Sequence, residues 1–378
     1  MKNLLVAFLI SFICSFQANA TRTLYVDDFL NILGNTAAED ALLSYSQANE
    51  IEILLLYELH LVNATYDITH YSTSGILADF ISKAKNDFGI LKIGAVGENA
   101  DFFWNVIHPY NASRSSSDER IEIINLEFEF WIQSATDPGG YYCDTYLTPA
   151  GYPCTNDGAY GFALSQLLSM DQLKGYSSYP LSTEIYVGWP TLSQSYQLAG
   201  AVDRMLVHAY VDDPNIAYDY IEDRIIDISG GGNNLDVSII FSSEPNFMQN
   251  WLNANSMLAA ETIFYNDWLN GASSWATLST MNLEGFTYFA YTFNQNITVG
   301  TESMDLPEDI TVAPNPVNDV MTITSDSQIE LIQVYDQLGK CVLKTSNNSI
   351  DMSQLSKGLY TVHAQTDQRI EVHKIVKN

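Results

Sequence analysis

Short apolar runs alternate with amphipathic stretches along the chain between Thr21 and about Ile297. The apolar runs have the length and the β-branched and aromatic content of strands. Eight strands are predicted, at Thr23 to Val26, Ile51 to Leu61, Leu91 to Val96, Ile121 to Phe130, Glu184 to Trp189, Met205 to Val211, Val237 to Phe241 and Gly285 to Phe293. Helical spacing of apolar residues between them predicts helices at Thr36 to Asn49, Ser74 to Asp87, Tyr160 to Leu173, Leu192 to Asp203, Pro214 to Ile228 and Pro245 to Leu269.

Strands that alternate with helices predict a parallel sheet, and at this length a closed (β/α)8 barrel of the TIM type is the simplest architecture. Two places fit this pattern poorly. Pro109 interrupts the segment between the third and fourth strands, and no clear eighth helix follows Phe293. An open, doubly wound sheet therefore remains the alternative fold for residues 21–297.

The pattern changes beyond Asn296. Residues 298–309 form a polar linker without apolar periodicity, and residues 310–378 alternate apolar and polar positions over short runs separated by turns. This tail is predicted to be a small all-β, Ig-like sandwich, separate from the barrel.

The first twenty residues predict export. Residues 1–20 carry Lys2, an apolar run from Leu4 to Phe16 and small residues up to Ala20, which is the pattern of a secretory signal peptide cleaved after Ala20. No stretch is long enough for a membrane-spanning helix. The chain has 45 acidic and 16 basic residues and a formal charge of -29, which argues against nucleic acid or an anionic membrane as partner.

Two cysteines bracket a loop rich in Gly, Pro and Tyr. In the oxidising compartment implied by export, Cys143 and Cys154 favour a disulfide over a metal site or free thiols. The chain lacks the sequence spacing of a zinc site, an EF-hand, a phosphate loop or a dinucleotide fingerprint. We therefore expect neither a metal nor a cofactor.

Candidate chemistry is concentrated between Ile121 and Trp131. Strand alternation places Asn125, Glu127 and Glu129 on one face and apolar side chains on the other. Carboxylates at such positions lie roughly 6 to 7 Å apart, so in a partly dry site ionisation of one raises the pKa of the other. This pair could serve as general acid and base if the face points into a barrel. A polar face that is merely wetted by solvent is the alternative.

Other side chains stand at the predicted carboxyl ends of strands, where the active sites of (β/α)8 barrels lie. They are Glu58, Trp189, His208, Tyr210, Asp212, Glu244 and Phe289. Each is more often structural than functional when taken alone. Their shared location makes them candidates for substrate binding.

The spacing of Glu122, Asn125, Glu127 and Glu129 resembles the fourth-strand motif D-x-x-D-x-D-x-E of family 18 glycoside hydrolases, the chitinases and endo-β-N-acetylglucosaminidases. The final Glu agrees in identity and the other three positions differ. Met205 to Asp212 resembles the sixth-strand M-x-Y-D segment of the family with extra residues inserted, and Gly94 to Gly97 loosely resembles its third-strand S-x-G-G.

The resemblance implies substrate-assisted cleavage of a glycan that contains N-acetylhexosamine. Glu129 would protonate the leaving oxygen, Glu127 would orient the 2-acetamido group, and Tyr210 would donate a hydrogen bond to that group. The acetamido oxygen would then attack the anomeric carbon. Glu127 is one methylene longer than the usual Asp, and Asn125 cannot share a charge as Asp can.

Two other functions use the same barrel. Glu129 and Glu244, at the ends of the fourth and seventh strands, are placed like the acid/base and nucleophile of retaining glycosidases, although Phe128 stands where an Asn usually precedes the acid/base. A non-catalytic carbohydrate-binding barrel at the cell surface would instead use an aromatic rim. A purely structural or adhesive role is the third alternative.

Four ordered motifs in the tail give a second resemblance. Ala313 to Asp319, Val334 to Lys340, Leu355 to Tyr360 and Lys374 to Lys377 closely resemble the type A C-terminal sorting domain of the type IX secretion system. The resemblance implies that the secretion machinery is a partner, with passage across the outer membrane and release or attachment at the cell surface.

Overall fold

A computed structural model describes residues 20–230, 235–275, 281–294, 310–325, 328–335, 341–366 and 370–377. The chain divides into two compact units, of which one spans Asn19–Val299 and the other includes Gly300–Asn378. The predicted signal peptide and linker lie outside the described residues, apart from Ala20. Within the part of the chain that the structure describes, no helix combines the length and apolar character needed to cross a membrane.

The first unit is a closed barrel of parallel strands, as the alternating pattern predicts. The strands pair in chain order and β8 returns to pair with β1, so the alternative of an open sheet is wrong. The strands are β1 (Thr21–Val26), β2 (Ile53–Leu56), β3 (Lys92–Gly97), β4 (Ile123–Leu126), β5 (Ser182–Val187), β6 (Arg204–His208), β7 (Asp236–Ser242) and β8 (Asn282–Phe289).

Helices cover the outside of the barrel between the strands. They are α1 (Phe29–Ile32), α2 (Thr36–Ala48), α3 (Leu59–Tyr66), α4 (Gly75–Phe88), α5 (Ala100–Phe102), α6 (His108–Ser113), α7 (Gln133–Thr136), α8 (Thr148–Ala150), α9 (Asn156–Tyr176), α10 (Leu192–Ala199), α11 (Ala217–Ser229), α12 (Gln249–Ala254), α13 (Met257–Trp275) and α14 (Tyr291–Asn294). A π-helical turn, Phe103–Ile107, joins α5 to α6, so the segment that contains Pro109 is helical and the proline sits in the first turn of α6.

Several predicted boundaries are wrong because apolar runs continue past the ends of strands. The run from Ile51 to Leu61 contains β2 and the start of α3, and the chain turns between them at Glu58, whose φ of 60° lies in the left-handed region. Similarly, β4 ends at Leu126 rather than Phe130. The predicted helix at Pro245 to Leu269 is two helices, α12 and α13.

Charged and polar side chains fill part of the barrel interior. Arg204 on β6 pairs with Glu184 on β5 at 2.7 Å and with Glu284 on β8 at 2.8 Å, and Glu184 accepts a hydrogen bond from Asn125 on β4 at 3.1 Å. Arg204 and Glu184 are buried. Buried charges persist when paired in this way. The network therefore forms a filled layer beneath the carboxyl ends of the strands.

The tail unit consists of two antiparallel sheets. One has the order β13-β10-β9 and the other β12-β11-β14-β15. The strands are β9 (Ile310–Ala313), β10 (Val320–Ser325), β11 (Ile329–Tyr335), β12 (Cys341–Thr345), β13 (Ser349–Asp351), β14 (Gly358–Thr366) and β15 (Ile370–Lys377). Alternating apolar residues such as Met321, Ile332 and Val362 form its core, which confirms the predicted small all-β module.

Candidate active site

A cavity of about 160 Å³ opens at the carboxyl ends of the barrel strands. Two carboxylates and five aromatic rings line it: Glu127, Glu129, Tyr25, Tyr57, Tyr186, Tyr210 and Phe289. Four of these, Glu127, Glu129, Tyr210 and Phe289, belong to the set predicted from the sequence. The cavity lies at the end of the barrel where the active sites of this fold are found.

The alternation that follows from β4 brings the two glutamates into the cavity. Phe128 and Phe130 are buried on the opposite side of the segment, so the segment has the predicted apolar back and carboxylate-bearing front. The Glu127 N–H donates to the Gly97 carbonyl at 3.0 Å, which continues the pairing with β3 by one residue. This bond fixes the backbone that carries the first carboxylate.

Glu127 has an unusual electrostatic environment. Its pKa is raised from 4.5 to about 8, mainly by burial and to a smaller extent by the negative charge of the neighbouring Glu129. Its Oε2 atom is buried and has no hydrogen-bond partner among the described residues. Glu127 is therefore largely protonated at neutral pH and can donate a hydrogen bond.

Glu129 is held from two sides. Burial raises its pKa, a hydrogen bond from the Tyr186 hydroxyl opposes this shift, and the charge of Glu98 adds to it. Tyr210 in turn donates to Tyr186. The backbone N–H of Glu129 donates to the Tyr142 hydroxyl at 3.3 Å. A carboxylic acid with a raised pKa and a fixed backbone is what a general acid requires.

Asn125 lies below the two glutamates, where it links the cavity to the buried ionic network. It donates through Nδ2 to Glu184 and accepts a hydrogen bond from the Tyr25 hydroxyl at 3.4 Å. An aspartate at this position would place an acceptor against Glu184. The amide satisfies both neighbours without adding a charge.

Aromatic rings form the wall of the cavity. Tyr25 contacts Tyr57 and Phe289 with ring centroids 5.4 and 5.6 Å apart. Phe289 also contacts Tyr210 at 6.2 Å, and Tyr210 contacts Tyr186 at 6.5 Å. The rings therefore make a continuous apolar surface beside the carboxylates.

The segment from Tyr141 to Cys154, most of which is closed by a disulfide, lies beside the site. Cys143 and Cys154 are joined, as predicted. Tyr141 and Tyr146 both donate to the Glu98 carboxylate beyond β3, at 2.8 and 2.5 Å. With the bond from the Glu129 backbone N–H to the Tyr142 hydroxyl, the segment is tied to the Glu98 side chain and to the Glu129 backbone.

His208 and Trp189 lie beside the cavity without lining it. His208 is buried, with its ring 4.1 Å from that of Tyr210 and 4.8 Å from that of Trp189. Burial and the nearby Arg224 lower its pKa to about 3, so the imidazole is neutral and supports Tyr210 through packing. Trp189 is 51% exposed and offers a ring surface to solvent.

Three further predicted substrate-binding residues, besides His208 and Trp189, do not line the cavity. Glu58 accepts a hydrogen bond from the Leu30 N–H at 3.3 Å, Glu244 accepts one from the Ser242 hydroxyl at 2.8 Å, and Asp212 is exposed. For Glu58 the reason is strand alternation, because its neighbour Tyr57 continues the inward face of β2 and Glu58 turns away.

Tyr25, Tyr57 and Tyr186 line the cavity but are absent from the residues predicted for it. Tyr186 lies two positions after Glu184 on β5, so both share the inward face. A strand that carries a buried acid and then a tyrosine near its carboxyl end gives the signal that could have found it. Trp131 packs against Tyr186 with ring centroids 5.5 Å apart.

The cavity offers a cofactor or metal few ligands. Among the described residues there is no cluster of three His, Cys, Asp or Glu side chains that could hold a metal ion. The pair Glu127 and Glu129 supplies two carboxylates, and hydroxyl groups supply the remaining polar atoms.

The sequence of the tail matches a known domain family. Residues 311–378 match the family model described as the secretion system C-terminal sorting domain. A domain of this kind indicates export to the cell surface or secretion. No curated protein matches the chain.

Solved structures resemble the chain at low identity. A β-glucuronidase from Bacteroides uniformis is 8% identical with a TM-score of 0.42, covering 95% of this chain and 46% of that one, so the chain spans about half its length. A family 26 endo-β-1,4-mannanase from Cellulomonas fimi is 9% identical with a TM-score of 0.37 and coverage of 98% and 96%. A chitinase from Ipomoea carnea is 14% identical with a TM-score of 0.41 and coverage of 74% and 97%.

Proposed function

We propose that the barrel is a secreted glycoside-hydrolase-like catalyst that acts on a glycan containing N-acetylhexosamine. The observation that carries the proposal is the carboxylate pair, Glu127 and Glu129, inside an aromatic-walled cavity at the carboxyl ends of the strands. Raised pKa values for both acids suit proton transfer near neutral pH.

In the proposed reaction Glu129 gives its proton to the leaving glycosidic oxygen while the bond to the anomeric carbon breaks. The acetamido oxygen of the same sugar attacks that carbon and forms a cyclic oxazolinium ion. Protonated Glu127 and the Tyr210 hydroxyl orient the acetamido group. Water then opens the ring and returns a proton to Glu129, so the acid is regenerated.

The rim supports a substrate longer than the sugar that reacts. Trp189 is 51% exposed and Tyr141 is 55% exposed, and an exposed ring can stack on the apolar face of a sugar. The described residues that line the cavity include no basic side chain, so a glycan without acidic groups at the reacting sugar fits the site best.

The test is an assay of the mature, full-length protein on chitin oligomers and on N-glycans, with Glu129→Gln and Glu244→Gln beside the wild type. We expect Glu129→Gln to lower kcat at least about 100-fold, because general acid catalysis contributes about that much. Glu244→Gln should keep its activity. Loss of turnover in both variants would instead indicate the retaining mechanism with two carboxylates. Full turnover by Glu129→Gln would contradict both mechanisms.

Glycan binding without hydrolysis is the second candidate. It is favoured by Asn125, which occupies the position of an acid in the related motif and is committed to Glu184. In that case the wild type and Glu129→Gln would bind the same oligomers with similar affinity, and neither would release product. No binding and no turnover would leave a structural or adhesive role.

We also propose that residues 1–20 are removed as a signal peptide and that residues 310–378 direct type IX export of a barrel spanning residues 21–297. The match of the tail to a sorting domain supports this organisation. N-terminal sequencing of the exported protein should begin at Thr21. A sequence that begins elsewhere in the chain would contradict the proposed cleavage site.

A further inference from the structure

Five aromatic rings and two carboxylates line the cavity, and no Lys, Arg or His side chain is among its lining residues. Aromatic faces carry partial negative charge and attract cations within about 6 Å of the ring centroid. Every group that contacts the interior is thus apolar, a hydroxyl or an acid. This composition suits positively charged organic groups.

The rings meet at steep angles. Tyr25, Tyr57 and Phe289 contact each other in pairs, with interplanar angles of 50°, 66° and 73°. Rings inclined in this way present surfaces from different directions, whereas stacked rings would cover each other's faces. An ammonium group beside them is attracted by more than one ring at once.

The acids supply the counter-charge. The Glu127 side chain lines the cavity, and its buried Oε2 has no hydrogen-bond partner among the described residues, so no described donor neutralises the charge of its ionised form. The formal charge of the whole protein, -29, also raises the local concentration of cations. The cavity volume of about 160 Å³ lies below the roughly 300 to 1,000 Å³ of sites for drug-sized ligands. A cavity of this size fits a small ammonium group.

We propose that this cavity binds an organic ammonium group, through the rings of Tyr25, Tyr57 and Phe289 and the carboxylate of Glu127. The ligand class is a small quaternary or protonated amine, or a larger molecule that presents such a group. The inference concerns the same cavity as the proposed glycan chemistry but does not depend on hydrolysis.

Binding of the cation is coupled to release of a proton. Free Glu127 is largely protonated at neutral pH because its pKa is raised to about 8, and a bound cation favours the ionised form. Affinity should therefore rise with pH up to about 8. The titratable groups around Glu127 are Glu129, Tyr25, Tyr142, Tyr186 and Tyr210.

The experiment is calorimetric titration of the mature full-length protein with choline and with 3,3-dimethylbutan-1-ol, its uncharged isostere, at constant ionic strength. At pH 8 choline should bind at least about tenfold more tightly than the uncharged alcohol. This is a typical combined effect of a few cation–π contacts and a carboxylate. Its affinity should fall at pH 6, with proton uptake by buffer detected at pH 7.

Three variants separate the causes. Glu127→Gln should reduce the preference for choline and remove its pH dependence, and Tyr57→Leu should weaken choline binding more than binding of the alcohol. Glu50→Gln is the matched control, because it removes one charge at a carboxylate whose side chain is 81% exposed. It should keep the preference for choline. Circular dichroism checks that each variant is folded.

Equal binding of choline and the alcohol by the wild type would overturn the inference, as would a preference for choline that is undiminished in Glu127→Gln. Vesicles of phosphatidylcholine provide the second arm. Binding to vesicles that free choline displaces supports a lipid headgroup as the source of the ammonium group. Vesicle binding without any binding of free choline would place the contact outside the cavity and overturn the inference. None of these results depends on glycan turnover.

Discussion

Glu127 keeps its proton at neutral pH because burial disfavours the carboxylate and Glu129 adds negative charge beside it. The folded-state pKa of about 8 lies above the ordinary value of 4.5, so the folded protein holds a proton that the unfolded chain releases between these values. The contribution of this proton to the free energy of unfolding is fully present below pH 4.5. That contribution is lost as the pH rises toward the folded-state pKa of about 8.

We therefore expect the free energy of unfolding to fall by about 2 kcal/mol from pH 5 to pH 8 because of this residue, after allowance for partial solvent access. In Glu127→Gln, which resembles the protonated acid, the fall should be smaller and the protein should be more stable than the wild type at pH 8. Urea unfolding at a series of pH values measures the difference. Parallel curves for the two proteins would contradict the assignment of the raised pKa to Glu127.

Tyr142 acts on Glu129 through the backbone. Its hydroxyl accepts the Glu129 N–H at 3.3 Å, and its ring packs on Phe128 at a centroid distance of 4.2 Å. Tyr142→Phe keeps the ring and removes the acceptor. If the barrel is the proposed hydrolase, we expect kcat to fall about tenfold, since an unsatisfied N–H costs about 1–3 kcal/mol, with little change in KM.

The readout that separates positioning from simple destabilisation is the pH profile of kcat. A displaced Glu129 should shift the limb that reports the general acid, whereas a structural defect elsewhere should scale the whole profile. Tyr152→Phe, at a tyrosine that is not among the residues lining the cavity, serves as the control and should behave as the wild type.

The disulfide constrains the segment between β4 and α9. The bond joins residues 11 positions apart, and closing a loop of this size stabilises the folded state by about 2–3 kcal/mol through the unfolded chain. Replacing both cysteines, as Cys143→Ser with Cys154→Ser, should lower the Tm. Thermal unfolding of the wild type in a reducing agent should show a similar drop, and the double variant should not respond to the reductant.

Gly188, which follows β5, lets a tryptophan approach the barrel. A Cβ at this residue would lie 2.6 Å from the ring of Trp131, whereas a Cβ at Gly175 in α9 would meet nothing within 4 Å. We expect Gly188→Ala to destabilise the protein by about 1–3 kcal/mol, because the ring must move. Gly175→Ala should be neutral or stabilising, since alanine favours helix. Equal unfolding free energies for the two variants would contradict the close packing.

The elements show what the sequence could and could not predict. The alternation at Asn125, Glu127 and Glu129 is a local property, and the structure places all three toward the barrel interior. The height at which Tyr25 and Tyr186 meet them depends on how neighbouring strands are staggered around the barrel. That stagger is set by pairing between distant segments, so a single strand does not reveal it. Turns within apolar runs, such as the one at Glu58, cannot be predicted from the local pattern for a similar reason.

At the scale of the whole molecule, the chain has two compact units, one with the barrel and its candidate site and the other with the tail. The tail has its own core of alternating apolar residues, and residues 311–378 match a sorting domain. Deleting residues 311–378 should therefore stop the protein from reaching the medium or cell surface while the barrel still folds. Fractionation of the producing cell, with circular dichroism of the retained protein, measures both. Undiminished export of the truncated chain would contradict the role of the tail.

The layer made by Asn125, Glu184 and Arg204 closes the barrel beneath the two glutamates. The cavity is thus closed at its base, and a departing product leaves at the end of the barrel where the next molecule enters. A turnover cycle in such a pocket is slowed when the released sugar is slow to diffuse away. If the barrel is a hydrolase, accumulated product should act as a competitive inhibitor.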